Sequence, residues 1–480
     1  MTLRFGTDGV RGVAGRELTP ELVMALGRVT ARWLVASGPS GSCSFVMGRD
    51  TRRSGPMLAA ALSAGLAAEG VDVIDVGVLP TPGVAAICAS RGLAGAVISA
   101  SHNPFPDNGV KLFAADGRKL DDLTEARLEA ALLEATGASP ASLGSGAGLL
   151  PSAADLLPPG GGLASPGAAR SGADLGTLEV DGNALSWYRQ HVLSALDGRG
   201  LDGLRVALDC ANGAAWAVAA SALRDAGAEV VAVLGAAPDG TNINRGVGST
   251  EPGPLGEVVE AAGADLGLAL DGDADRVIAV DGAGHVVDGD RLLALFAADM
   301  KARGILAGDT VVVTVMTNLG FHQAMAAAGI TVHQTQVGDR YVLQALDSHR
   351  WSLGGEQSGH VIFRDLATTG DGLLSGLLLA DLVARSGRAL EELAVASMVR
   401  LPQVLRNVPV ADRDGLAGAG AVWEAVRQAE RALGGRGRVL IRPSGTERLV
   451  RVMVEAPSEE EADRVALELV DAVTGALGSR

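Results

Sequence analysis

Three times along the chain a short apolar run of strand length gives way to a helical stretch and then to another apolar run. The first series reads strand 45–47, helix 56–69, strand 71–76, helix 81–91 and strand 94–98. The second has strands at 204–208, 229–234 and 266–270 with a helix at 215–226, and the third begins with strands at 310–316 and 331–337. That alternation is the rhythm of helix-covered α/β sheets. The 480 residues exceed what one core holds, and 48% of them are hydrophobic while only 3% are aromatic, so Ala, Val and Leu must pack small helix faces closely onto the strands. The expected class is α/β: three consecutive mixed-sheet α/β domains followed, beyond Leu401-Pro402, by a C-terminal α+β domain. The last helix of that domain is marked by a capping box of Ser458 and Glu461 and by an apolar face of Ala462, Val465, Ala466, Leu469, Val470 and Val473. Expected limits are 1–150, 177–283, 284–396 and 397–480, with 137–176 a flexible connector rich in Gly, Ala, Ser and Pro.

The net charge of −16 disfavours nucleic acid or an anionic membrane as partner, because both need a broad cationic surface. Lysine occurs only at positions 111, 119 and 301, and no Gly-Lys-Ser/Thr is present, which excludes a Walker-type phosphate loop. Cys43, Cys88 and Cys210 stand far apart in apolar runs and read as buried thiols of a reducing compartment. With no secretory h-region and no run of membrane-spanning length, the expectation is a cytoplasmic protein.

Six loops carry chemistry. An apolar strand runs into Ser99-Ala100-Ser101-His102-Asn103-Pro104, which presents a hydroxyl on a bent loop at a strand end. His102 beside Ser101 is expected to point away from it, as neighbours on an extended loop do, so a hydrolase triad is not expected. After strand 266–270 stands Asp271-Gly272-Asp273-Ala274-Asp275-Arg276, three carboxylates that call for a cation. Alternate side chains of an extended strand lie roughly 6.6 Å apart, too far to share a small ion, so this loop must curl. Arg276 and Gly282 stand where a calcium EF-hand needs Gly and Glu, which rules that motif out.

Arg442-Pro443-Ser444-Gly445-Thr446-Glu447 between two strands has the make-up of an anion cradle. Gly354-Gly355-Glu356-Gln357-Ser358-Gly359-His360 gathers the donors and acceptors that sugar hydroxyls need. Gly6 to Gly12, with Arg11, and Gly48-Arg49-Asp50-Thr51-Arg52 bring cations toward the Ser101 loop.

In order and spacing Gly6 to Gly12, Ser99 to Pro104, Asp271 to Arg276, Gly354 to His360 and Arg442 to Glu447 resemble the loops of the α-D-phosphohexomutase superfamily and, within it, the bacterial phosphoglucosamine mutases. Asn242-Ile243-Asn244, Val337-Gly338-Asp339-Arg340, Thr368-Thr369-Gly370-Asp371-Gly372 and Pro402-Gln403-Val404-Leu405 are similar to that amino-sugar branch. The resemblance implies four domains around a central cleft, a phosphoryl group on Ser101, and Mg²⁺ held by Ser101, Asp271, Asp273 and Asp275. It further implies that Glu356 and Ser358 hold the sugar, that Arg442, Ser444, Gly445 and Thr446 grip the phosphate not reacting, and that Arg11, Lys111, Arg276 and His360 line the site. Lys111 or His360 then relays protons. The implied reaction interconverts glucosamine 6-phosphate and glucosamine 1-phosphate through a bisphosphate and feeds UDP-N-acetylglucosamine and cell-wall synthesis. Its implied primer is glucosamine 1,6-bisphosphate or glucose 1,6-bisphosphate, its implied partners are small sugar phosphates, and its state a monomer or a homodimer. The rival reading is a phosphoglucomutase or phosphomannomutase.

Overall fold

The computed structural model describes residues 5–6, 9–37, 44–137, 170–444 and 448–478. Met1–Val315 with His333–Ala394 form one compact unit, and Met316–Val332 with Val395–Arg480 form a second.

The first unit holds two sheets and all but Thr331 and Val332 of a third. Its first comprises β1 (Phe5–Gly6), β2 (Gly9–Val13), β3 (Ser44–Arg49), β4 (Asp72–Val78), β5 (Gly95–Ile98), β6 (Asp107–Phe113) and β7 (Leu178–Val180) in the order β1-β2-β6-β5-β3-β4-β7. β3 runs parallel to β4 and β5, as the strand–helix alternation predicts, while β6 returns antiparallel beside β5. All four residues of β5, Gly-Ala-Val-Ile, are buried, and Leu26, Leu58, Leu62, Leu66 and Leu128 from the covering helices close the core over the sheet. A strand buried on both faces can present polar groups only where it ends, and β5 ends just before Ser101.

The second sheet joins β8 (Arg205–Asp209), β9 (Glu229–Leu234), β10 (Leu266–Leu270), β11 (Val277–Asp281) and β12 (Val286–Val287) in the order β12-β11-β10-β8-β9. β10, Leu-Gly-Leu-Ala-Leu, is wholly buried and pairs parallel to β8 and antiparallel to β11. The turn between β10 and β11 is the acidic hexapeptide. The helix expected at 215–226 is broken: a 3-10 turn at Ala214–Ala217 precedes a helix at Ala219–Asp225.

The third sheet contains β13 (Thr310–Thr314), β14 (Thr331–Thr335), β15 (Leu353–Gly355) and β16 (Val361–Phe363) in the order β14-β13-β15-β16. The helix Gly372–Ser386 is capped by Asp371, whose carboxylate accepts the Leu374 N–H at 2.9 Å.

The second unit carries β17 (Gln403–Pro409), β18 (Arg438–Pro443) and β19 (Leu449–Glu455), all antiparallel, in the order β17-β19-β18. The final helix, Glu459–Leu477, begins where the capping box places it, with Ser458 Oγ accepting the Glu461 N–H at 3.2 Å, and it buries Ala462, Val465, Ala466, Leu469 and Val473.

Among the described residues no helix is long and apolar enough to cross a membrane, and Cys88 and Cys210 are buried free thiols. Cys43 and residues 138–169 of the expected connector lie outside the described residues.

Candidate active site

Ser101 adopts left-handed backbone, φ 51°, and its buried Oγ donates to Asp271 Oδ2 at 2.5 Å. The same twist corrects the expectation for His102. A left-handed residue does not alternate its neighbours as a strand does, and His102 Nδ1 stands 3.4 Å from Ser101 Oγ. Burial, then the charges of Arg276 and Arg11, push His102 down to about 4, so it is a neutral imidazole at neutral pH. Its effect on His102 puts Arg11, on β2, within electrostatic reach of the serine loop.

The acidic turn curls as required. Ala274 takes φ 58°, and one ligand atom from each of Asp271, Asp273 and Asp275 lies within 4.8 Å of the others, all three residues being buried. Gly272 is needed here, because a Cβ at that position would stand 2.6 Å from the Ser101 carbonyl oxygen.

The carboxylate oxygens are divided between the protein and open valence. Asp273 Oδ2 accepts from Lys111 Nζ at 2.5 Å and Thr81 Oγ1 at 2.6 Å, and Asp275 Oδ2 accepts from Lys111 at 3.3 Å. The Oδ1 atoms of Asp273 and Asp275 are buried without a hydrogen-bond partner. Unpartnered buried carboxylate oxygens in one cluster are what a hard divalent cation takes as ligands, so these residues fit a metal ion. Burial, reinforced by Asp275 and Asp273, pushes Asp271 well above the carboxylate range. Burial also opposes ionisation of Asp275, but Lys111, His360 and Arg276 outweigh it and hold that carboxyl well below the range.

His360 follows the tight turn between β15 and β16. It is 2% exposed, with Nδ1 3.8 Å from Asp275 Oδ1 and Nε2 3.4 Å from Asp339 Oδ2. Burial opposes its charging, whereas Asp275, Asp339 and Glu356 raise it above its ordinary value. Geometry decides the tautomer. Gly370 N–H donates to Nε2 at 3.0 Å, so that nitrogen carries no proton and Nδ1–H faces Asp275. The loop bearing Gly370 is anchored by buried Asp371, which accepts Tyr188 Oη–H at 2.9 and 3.0 Å.

Glu356 Oε1 accepts the Gly338 N–H at 3.0 Å, and Ser358 Oγ is buried without a hydrogen-bond partner. Gly359, φ 87°, lets this turn approach the strand that follows the acidic turn, since a Cβ there would meet the Val277 carbonyl oxygen at 2.1 Å.

Thus the structure brings Ser101, Lys111, Asp271, Asp273, Asp275, Arg276 and His360 together, with Arg276 Nε 3.8 Å from Asp275 Oδ1. In the second unit Arg442 lies in register opposite Arg451, and burial together with that neighbouring cation lowers its pKa. Ser444 is buried and its carbonyl accepts from Arg413 at 2.8 Å, whereas Gly445 and Thr446 lie outside the described residues.

Three contributors escaped the sequence reading. Thr81 opens a helix with no motif around it, Asp339 takes Lys119 Nζ at 2.6 Å, and Asn244 bonds the serine loop. Asp339 and Asn244 sit within noted motifs, but their targets are distant groups that no local spacing reveals. Arg52, expected to bring charge toward the serine loop, bonds its carbonyls.

Four family models match the chain: phosphoglucomutase/phosphomannomutase alpha/beta/alpha domain I at residues 2–138, domain II at 188–284, domain III at 288–401 and the C-terminal domain at 405–472. The chain is 52% identical over 478 residues to the phosphoglucosamine mutase of Saccharopolyspora erythraea, covering 98% of this chain and 99% of that one. It is 51% identical over 470 residues to the phosphoglucosamine mutase of Rhodococcus jostii, with 98% of each covered. In fold it is similar to a phosphoglucomutase/phosphomannomutase family protein of Burkholderia thailandensis, with TM-score 0.78, 24% identity and coverage of 98% of this chain and 97% of that one. It is also similar to the N-acetylphosphoglucosamine mutase of Aspergillus fumigatus, solved with GlcNAc-6P and magnesium, with TM-score 0.66, 19% identity and coverage of 100% and 96%. Matched along nearly its whole length, the chain belongs to the phosphoglucomutase/phosphomannomutase family.

Proposed function

We propose that the protein is a phosphohexomutase that interconverts glucosamine 6-phosphate and glucosamine 1-phosphate, with Ser101 as the phosphoryl carrier. The observation that carries this reading is the 2.5 Å approach of Ser101 Oγ to Asp271, beside two carboxylates whose Oδ1 atoms lack partners. Relatives half identical over their full length bear the name phosphoglucosamine mutase.

Mg²⁺, held by Asp271, Asp273, Asp275 and the Ser101 phosphoryl group, would neutralise charge on the group being transferred. Ser101 gives up its phosphoryl group to the free hydroxyl of a sugar monophosphate. The Oγ–P bond breaks, a P–O bond to the sugar forms, and the sugar proton passes to Ser101 Oγ. The bisphosphate then turns over and returns its other phosphoryl group to Ser101.

Lys111 or His360 relays protons: Lys111 Nζ sits against Asp273 and Asp275, and the ring nitrogens of His360 face Gly370 and Asp275. Arg11 and Arg276 supply positive charge beside the serine loop, Glu356 and Ser358 hold ring hydroxyls, and Arg442, Ser444, Gly445 and Thr446 grip the idle phosphate. Glucosamine 1,6-bisphosphate or glucose 1,6-bisphosphate primes Ser101. The four tasks fall to residues 1–150 for phosphoryl carriage, 177–283 for metal, 284–396 for sugar and 397–480 for phosphate. Such work on small sugar phosphates suits a cytoplasmic enzyme.

Intact-mass analysis with peptide mapping tests the carrier. One phosphate on Ser101, lost together with turnover in Ser101→Ala, is expected, and a fully active Ser101→Ala sinks the reading. Rates with glucosamine 6-phosphate and glucose 1-phosphate separate the amino-sugar assignment from a phosphoglucomutase.

A further inference from the structure

Ser101 is held in a backbone conformation that non-glycine residues rarely adopt, φ 51°. The groups that hold it touch only its main chain. Arg52, whose side chain is fully buried, donates from Nη2 to the carbonyls of Ser101 at 2.8 Å and Asn103 at 2.7 Å. Its Nη1 donates to the carbonyls of Pro104 at 2.5 Å and Asp107 at 3.0 Å, and its Nε to Asp50 Oδ2 at 2.8 Å. Asn244 Nδ2 donates to the same two carbonyls, Ser101 at 2.9 Å and Asn103 at 3.1 Å. On the other side the Ser101 N–H donates to Ser99 Oγ at 2.9 Å, and Ser99 Oγ donates to Asp50 Oδ2 at 2.7 Å.

The two donors come from different sheets. Arg52 follows β3, whereas Asn244 lies between β9 and β10 in the polypeptide that leads to the acidic turn. The seam between them is stitched further by Arg53 N–H to the Gly240 carbonyl at 2.8 Å and Thr51 Oγ1 to the Asn212 carbonyl at 2.5 Å. Asn244 is itself left-handed, φ 57°, a conformation that Asn tolerates better than most residues.

Resting on the phosphoserine reading above, the geometry points to Arg52 and Asn244 as paired positioning residues: a main-chain clamp that keeps Ser101 aimed at the acidic turn whether or not it carries phosphate. The hydroxyl bond from Ser101 Oγ to Asp271 needs the hydrogen that phosphorylation removes. A loop held mainly by that bond would relax once in every catalytic cycle. Carbonyl oxygens do not change as Oγ gains and loses its phosphoryl group, so bonds to them keep the reacting oxygen in place in both halves of the reaction.

Asn244→Asp and Asn244→Gly test the clamp. Asp keeps the size and the tolerance of left-handed backbone but offers no N–H to the two carbonyls, and Gly keeps the backbone alone. Expected in both is a kcat for glucosamine 6-phosphate lower by about ten-fold or more with KM changed by less than about two-fold. Quenched-flow mass spectrometry should show correspondingly slower phosphorylation of Ser101 by glucose 1,6-bisphosphate, in protein whose thermal midpoint stays close to the wild type. Arg52→Lys, which keeps the charge for Asp50 but cannot reach four carbonyls, should lose kcat further in whatever fraction folds.

The inference is overturned if both Asn244 variants keep kcat per folded enzyme. It is equally overturned if their loss appears as raised KM or as unfolded protein, since a scaffold residue would act that way. Absence of phosphate on Ser101 in the wild type, with Ser101→Ala active, instead defeats the reading beneath it.

Discussion

Ser101 Oγ and Asp271 Oδ2 stand 2.5 Å apart although 170 residues separate them in the chain. The hydroxyl closes strand β5 and the carboxylate closes β10, each a wholly buried strand of its own sheet. Their meeting concentrates acidic groups: two further carboxylates crowd Asp271, and the phosphoryl group proposed for Ser101 would add nearly two more charges.

Asp271→Asn relieves that crowding without removing the acceptor for Ser101. Without metal the variant should melt at or above the wild type, because burial and its two neighbours already push Asp271 toward its protonated form. Mg²⁺ at about one hundred times its Kd should add about 2.7 kcal/mol to the wild type and little to the variant, which should also lose mutase activity. Equal metal-dependent melting shifts in the two proteins would count against the metal assignment.

Thr81→Val keeps the shape of the side chain and removes one of the two donors to Asp273 Oδ2. Groups that orient a metal ligand typically carry about 10- to 100-fold in affinity or rate. The Mg²⁺ concentration for half-maximal turnover should rise accordingly, and chelation followed by metal titration measures it.

Asp371 is pushed up to about 6, first by burial, against an ordinary value of 3.8. Between those values the folded protein binds more protons than the unfolded chain, so stability falls as pH rises through that window. Asp371→Asn still accepts the Leu374 N–H and the Tyr188 hydroxyl without this loss. The stability of the variant relative to wild type should therefore climb between pH 4 and 7 by up to about 3 kcal/mol. Thermal melts across that range check it, and a flat difference counts against a protonated Asp371.

Ser458→Ala removes the acceptor for the Glu461 N–H at the start of the last helix. The expected loss is about 1 kcal/mol, read from the denaturation midpoint, with turnover under native conditions unchanged.

Much of this was legible residue by residue. The strands 229–234 and 266–270 lie where the apolar runs put them, and Ser458 caps its helix, because these features depend on neighbours a few residues away. The need of the acidic turn to curl was readable from its three alternating carboxylates, and it does curl at Ala274. His102 was misjudged because its direction depends on the left-handed turn at Ser101, which no nearby glycine signals. The motif of Arg52 predicts a cation near the serine loop, but only the folded chain shows its guanidinium consumed by five acceptors.

Chain order alone thus settled which chemical groups this protein carries and the strand ends that display them, since hydrogen bonding and periodicity among near neighbours suffice for that. Packing settled the pairings: which oxygens of Asp273 and Asp275 are left without partners, which ring nitrogen of His360 bears the proton, and what grips Ser101. Distances between remote residues and the loss of water around them exist only once the sheets have closed on one another, and those two quantities set the charge, the tautomer and the aim of every group in the site.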